Sequence, residues 1–188
     1  MADCARRDLL KGAIGLGLGL ARTSRAAARQ DDRASARPQE GDWLINVDDQ
    51  SKRPLTVDDV KVGAMPVLAW PLDPSDRTVR SGSRFNQVLL LRLDTATLTG
   101  DTPSRAADGV VAYTAICTHS GCNVDDWIER DRLLSCSCHE SVFDPRDGAR
   151  VVDGPAPRPL PALPLKIVDG KLVVAKPFTD RVGFDTGG

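Results

Sequence analysis

Only two histidines occur among the 188 residues, and each sits in a short segment with two cysteines. Box 1 reads Cys117-Thr118-His119-Ser120-Gly121-Cys122, and box 2 reads Cys136-Ser137-Cys138-His139-Glu140-Ser141. Every cysteine except Cys4 lies in one of the two boxes. A chain that places all its imidazole and nearly all its thiol in two loops is building one metal centre. Thiolate and imidazole together suit zinc, copper and iron–sulfur centres.

Spacing separates these classes only in part. A structural zinc site normally opens with a Cys-x₂₋₄-Cys pair and closes with His or Cys at matching spacing, which neither box provides. Covalent c-type haem needs Cys-x-x-Cys-His, and Cys136-Ser137-Cys138-His139 is one residue short. A mononuclear blue-copper site uses two histidines and one cysteine, leaving three box cysteines unexplained. Cys4 stands apart and receives no role.

The elements that must carry the boxes read as strands. From Trp43 onward, short apolar runs alternate with Asp, Gly and Pro. The pattern predicts strands at 43–47, 66–70, 86–93, 110–115, 132–136, 165–168 and 171–176. Asp169-Gly170 is a type I′ hairpin signal between the last two. Residues 57–63 allow one helical turn at most, and no stretch of ten residues beyond the leader has a helical period. The expected class is all-β, with the boxes on loops at strand ends.

Ahead of the strands, residues 29–41 are polar and charged, contain Pro38 and read as a linker. Arg6-Arg7-Asp8-Leu9-Leu10-Lys11, a glycine-rich apolar stretch to Ala21, and Ala26-Ala27-Ala28 form the three parts of an export signal. The arginine pair resembles a twin-arginine signal, which serves proteins exported already folded. Leu9 to Ala21 would rise only about 20 Å as a helix, against a hydrocarbon core of about 30 Å. Residues 1–28 are therefore expected to be a cleaved signal, with a short or tilted anchor as the alternative. The net charge of −1, with basic residues scattered, gives no footprint for nucleic acid.

The paired boxes resemble the Rieske iron–sulfur family. Its pattern Cys-x-His-x₁₆-Cys-x-x-His binds a [2Fe-2S] cluster, two thiolates on one iron and two imidazoles on the other. The resemblance implies Cys117 and Cys136 on one iron, and His119 and His139 on the other. It also implies an antiparallel β-sandwich base bearing a small cluster-binding subdomain, here residues 115–158 within a domain spanning 42–188. In the subgroup that serves quinol-oxidising complexes, a second cysteine in each box joins its counterpart, and Cys122 and Cys138 hold those positions. An oxidising compartment would favour that disulfide. Ser141 matches a serine that donates to a bridging sulfide. Gly154-Pro155-Ala156-Pro157 matches a proline-rich loop covering the cluster. Trp127 reads as packing rather than as an electron relay.

Three positions depart from the family pattern. Phe143 stands where high-potential members carry a tyrosine that donates to a cysteine sulfur, which implies a lower potential. Glu140 replaces a glycine beside His139, and a carboxylate there opposes added negative charge. Ser120 replaces an apolar residue of the quinol-facing tip.

Neutral imidazoles in place of thiolates raise a cluster's potential to roughly −150 to +300 mV, against about −400 mV for plant-type ferredoxins. The resemblance also implies that His119 and His139 couple electron to proton transfer through their outer ring nitrogens. The implied function is a periplasmic one-electron carrier passing electrons to a cytochrome c or other haem protein. Its donor would be a quinol, as in quinol–cytochrome c reductases, or a catalytic oxidoreductase subunit, as in arsenite oxidase. A structural metal-binding module without redox activity is the reading from another class.

Overall fold

The computed structural model describes residues 28–184. Its ten strands are β1 (Trp43–Asn46), β2 (Val67–Leu72), β3 (Val88–Arg92), β4 (Val110–Thr114), β5 (Asp126–Ile128), β6 (Leu133–Cys136), β7 (Ser141–Asp144), β8 (Arg150–Asp153), β9 (Leu165–Val168) and β10 (Lys171–Val174). They form a six-stranded sheet in the order β4-β3-β2-β1-β10-β9 and a four-stranded sheet in the order β5-β6-β7-β8. Every strand pair is antiparallel. The smaller sheet is an insertion between β4 and β9, and it carries the chemistry. Asp169 and Gly170 both take positive φ between β9 and β10, as a type I′ turn requires.

The large sheet curls on itself. Residues just ahead of β9 hydrogen-bond to β4, with Leu163 N–H donating to Ala112 O at 2.9 Å and Thr114 N–H to Pro161 O at 3.0 Å. These bonds cover the β4 edge, which would otherwise present unpaired backbone groups.

β3 and β4 are buried on both faces, which explains why they read as unbroken apolar runs. Alternate side chains serve different cores, as a period of two demands. Val88, Leu90, Val110 and Ala112 face the base core with Leu44, Leu163 and Leu172. Leu89, Leu91, Val111 and Tyr113 face a second core with Trp127, Leu134, Phe143 and Leu160. That second core also contains Cys117 and Cys136. Tyr113, almost fully buried, donates its hydroxyl to Pro145 O at 2.8 Å and so ties the base to the insertion.

The segment read as a linker differs from expectation. Residues 28–35 form a helix. Its closing carbonyls are taken up by the domain: Gly82 N–H donates to Ala34 O at 2.9 Å and Asn86 Nδ2 to Ala36 O at 2.8 Å. Arg80 Nη1 reaches Arg33 O at 3.4 Å. The helix has no apolar stripe, so its stability comes from these caps rather than from a pattern visible in sequence. The twin-arginine and apolar segments expected within residues 1–27 lie outside the described residues.

Arg80 is itself buried, and Asp42 grips it with bonds of 2.5 and 2.8 Å while Asp73 adds a contact at 3.3 Å. Removing one partner of a buried pair leaves an uncompensated charge, which costs about 3–5 kcal/mol. Arg80→Leu is therefore expected to lose about that much in equilibrium urea unfolding. The double variant with Asp42→Leu recovers most of the loss, and an unaffected single variant would refute this assignment.

Candidate metal centre

Box 1 leaves the end of β4 and returns through a closed turn. Cys117 N–H donates to Cys122 O at 2.8 Å, Gly121 N–H to Cys117 O at 3.2 Å, and Val124 N–H to Ala115 O at 2.8 Å. Box 2 is the hairpin between β6 and β7, where Cys136 pairs with Ser141 and Glu140 N–H donates to Cys136 O at 2.9 Å. Both boxes thus sit on backbone frames fixed by hydrogen bonds at their bases.

Two links hold the boxes face to face. Cys122 and Cys138 form a disulfide with Cα atoms 6.4 Å apart. Asp125, just past box 1, accepts from Ser137 in box 2, from its backbone N–H at 3.3 Å and its hydroxyl at 3.0 Å. The Cys122, Cys136 and Cys138 sulfurs lie within 4.8 Å of one another. Two of them are spent in the disulfide, so this is no three-thiolate site.

What remains is a set of two thiols and two imidazoles. Cys117 and Cys136 are free and buried. Burial pushes the Cys136 thiol up to about 11, and the neighbouring Cys117 pushes the same way. The Cys136 thiol stays protonated until a metal takes the proton's place. The His119 and His139 rings meet edge to face, with centroids 4.6 Å apart and planes at 89°. His119 Nδ1 is buried with no hydrogen-bond partner, as expected of a nitrogen that serves a metal. His139 is exposed at the tip, and its Nδ1 lies 3.5 Å from Ser120 Oγ. A set of two sulfurs and two nitrogens fits a tetrahedral zinc or a cluster with two histidines on one iron.

The Gly154-Pro155-Ala156-Pro157 loop closes a third side. Gly154 takes φ +82°, and a Cβ there would come within 2.5 Å of Ser141 Cα and 2.6 Å of Glu140 O. Only glycine permits that approach to box 2. Ala156 N–H donates to the hydroxyl oxygen of Ser141 at 3.1 Å, which leaves the buried serine's own proton to be donated elsewhere. The loop also reaches box 1, because the Thr118 hydroxyl donates to Arg158 O at 2.7 Å.

The residues singled out from sequence therefore gather at one end of the insertion. Pro155 is exposed on the loop, and Phe143 is fully buried on β7 opposite Leu134 and Val151. Glu140 is exposed at φ +59°, a left-handed conformation that explains why glycine suits this place. Trp127 packs in the second core, and its indole nitrogen has no partner there. Sequence reasoning missed Thr118, Asp125 and Arg158, whose residue types are unremarkable and whose partners lie in distant loops.

Comparison with known proteins separates the two metal classes. The Rieske [2Fe-2S] domain profile matches residues 78–164. A cytochrome bc1 complex Rieske iron-sulfur subunit from Streptomyces lividans is 33% identical over 147 residues, covering 76% of this chain and 85% of its own. A cytochrome b6-f complex iron-sulfur subunit from Chlorobaculum tepidum is 42% identical over 66 residues, 35% of each chain. Among solved structures, the ferredoxin of carbazole 1,9a-dioxygenase from Nocardioides aromaticivorans aligns with a TM-score of 0.44 at 19% identity. That alignment covers 75% of this chain and 99% of the ferredoxin.

Two substitutions test the local account. Glu140→Gly relieves a left-handed backbone at an exposed site and is expected to raise stability by about 1 kcal/mol in thermal or urea unfolding. A loss of stability would mean that the Glu140 side chain makes a contact worth more than the strain. Phe143→Tyr places a hydroxyl where Phe143 has none, and the reduction potential is expected to rise in a redox titration. An unchanged potential would show that this position does not tune the centre.

Proposed function

This chain belongs to the Rieske [2Fe-2S] family, and from that membership we propose that Cys117 and Cys136 bind one iron of the cluster and His119 and His139 the other. The observation that carries the assignment is the donor set left over by the disulfide. Two buried free thiols and two orthogonal imidazoles remain, one with an orphaned buried nitrogen. A [2Fe-2S] cluster bound there supplies a one-electron couple. The protein's own contribution is to hold the ligands and exclude water. The disulfide and the Asp125–Ser137 bonds fix the two boxes, and Thr118 and Ser141 fasten the proline-rich loop over them. The exposed ring of His139 is the point where an electron, with its proton, would enter.

The function these features support is a one-electron carrier on the periplasmic side of a bacterial membrane. It serves as the iron–sulfur subunit of a quinol–cytochrome c reductase-like complex and delivers electrons to a cytochrome c or similar haem protein. Similarity to the S. lividans subunit over most of both chains supports this reading, as does the Cys122–Cys138 disulfide. Tip polarity favours a second reading. Ser120 and Glu140 both present polar side chains beside His139, which suits a protein donor better than an apolar quinol head. In that reading the chain is the small electron-transfer subunit of another periplasmic oxidoreductase.

Attachment separates the two, because no helix among the described residues is long and apolar enough to cross a membrane. An anchor would have to come from the Leu9–Ala21 segment. Retention of the full chain in the membrane fraction supports the quinol reductase, and a soluble mature form starting near Arg29 supports the second reading. For the shared claim, iron and acid-labile sulfide analysis is expected to give two of each per chain. The reduced protein is then expected to be reoxidised by cytochrome c. Stoichiometric zinc, or iron without sulfide, would overturn the ligand assignment.

A further inference from the structure

Past β10 the chain does not stop at the base but runs on to the metal-binding end. Thr179 N–H donates to Ala162 O at 2.9 Å, and Ala162 N–H donates back to Thr179 Oγ1 at 3.0 Å. Next, Asp180 lies 3.5 Å from Arg158 Nη1, and Arg158 Nη2 donates to Gly183 O at 2.7 Å. Val182 and Gly183 are buried, and Arg181 Nη2 donates to Phe184 O at 3.0 Å. The Phe184 ring lies directly over Gly121. A Cβ built on Gly121 would come within 2.5 Å of the ring, and Gly121 takes φ +79°. Arg84 Nη2 donates to Gly121 O. None of residues 165–184 falls in the part of the chain that matches the Rieske profile.

This tail grips box 1 at two points. Phe184 covers the turn between Ser120 and Cys122, next to the disulfide. Arg158 holds the tail through its guanidinium while its carbonyl accepts from Thr118, between Cys117 and His119. We propose that Asp180–Phe184 is a brace for box 1, and that Phe184 is its positioning residue. The ring fills the space over Gly121, so the Ser120-Gly121-Cys122 turn cannot swing outward. Opening of that turn is the local excursion that would expose the disulfide and the ligands beneath it. Gly121 is thus needed both for its backbone conformation and for the room it leaves for the ring.

The brace rests on the ligand assignment above, so its test uses the full chain with the cluster loaded. Bleaching of the visible absorption that reoxidation does not restore is followed in dithiothreitol, a dithiol that reduces the Cys122–Cys138 bond and becomes its own cyclic disulfide. Phe184→Ala is expected to bleach faster by on the order of fivefold or more, with shifted EPR g-values and reduction potential. Phe184→Leu restores most of the wild-type behaviour. Phe178→Ala removes a ring from the same tail where it packs on the base core, and is expected to leave the bleaching rate unchanged. The brace is refuted if Phe184→Ala matches wild type, or if Phe178→Ala bleaches equally fast. A wild-type chain without a Rieske-type EPR signal would instead overturn the ligand assignment.

Discussion

The pairing of β3 with β4 as a wall buried on both faces is the constraint on which the molecule depends. Five residue pairs in register, Val88 with Thr114 through Arg92 with Val110, fix which side chains point each way. A slip of β4 by one residue would turn all its side chains to the opposite core. Val110 and Ala112 would leave the base, and Tyr113 would lose its bond to Pro145. Because box 1 begins three residues after β4 ends, the register of this wall also sets where Cys117 emerges. The metal-binding loops are thereby anchored to the stiffest part of the fold.

From that anchor the site is assembled by a few long-range links rather than by its own loops. The disulfide, the Asp125 carboxylate, the proline-rich loop and the C-terminal tail all bear on box 1. Such over-determination suits an electron carrier, where small rearrangement between oxidation states keeps transfer fast. The same frame leaves the tip free to vary. Ser120 and Glu140 are exposed there beside His139, so their side chains set the polarity of the tip.

Much of this was legible in the amino-acid sequence, and the physical reason is plain in each case. β1 to β4 and β10 are apolar runs because they line cores, and β6 runs directly into Cys136. By contrast β5, β7 and β8 are three or four residues long and carry charges such as Asp126, Asp144, Arg150 and Asp153. Their pairing is imposed by the hairpins around box 2, which local pattern does not record. The helix at residues 28–35 was hidden for a similar reason, since Gly82 and Asn86 cap it from some fifty residues away. At the site, the ligand types and their spacing were visible as a resemblance. Thr118, Asp125 and Phe184 were not, because a threonine, an aspartate and a phenylalanine gain meaning only from partners in other loops.

The central claim is that two imidazoles and two thiolates share one binuclear cluster. Pulsed EPR of the dithionite-reduced protein addresses it directly, since nitrogen nuclei bound to iron couple to the unpaired electron. Two distinct, strongly coupled imidazole nitrogens are predicted, with one lost in His139→Cys if that variant retains a cluster. A reduced signal without nitrogen coupling would contradict the account, because it would place the cluster on cysteine alone.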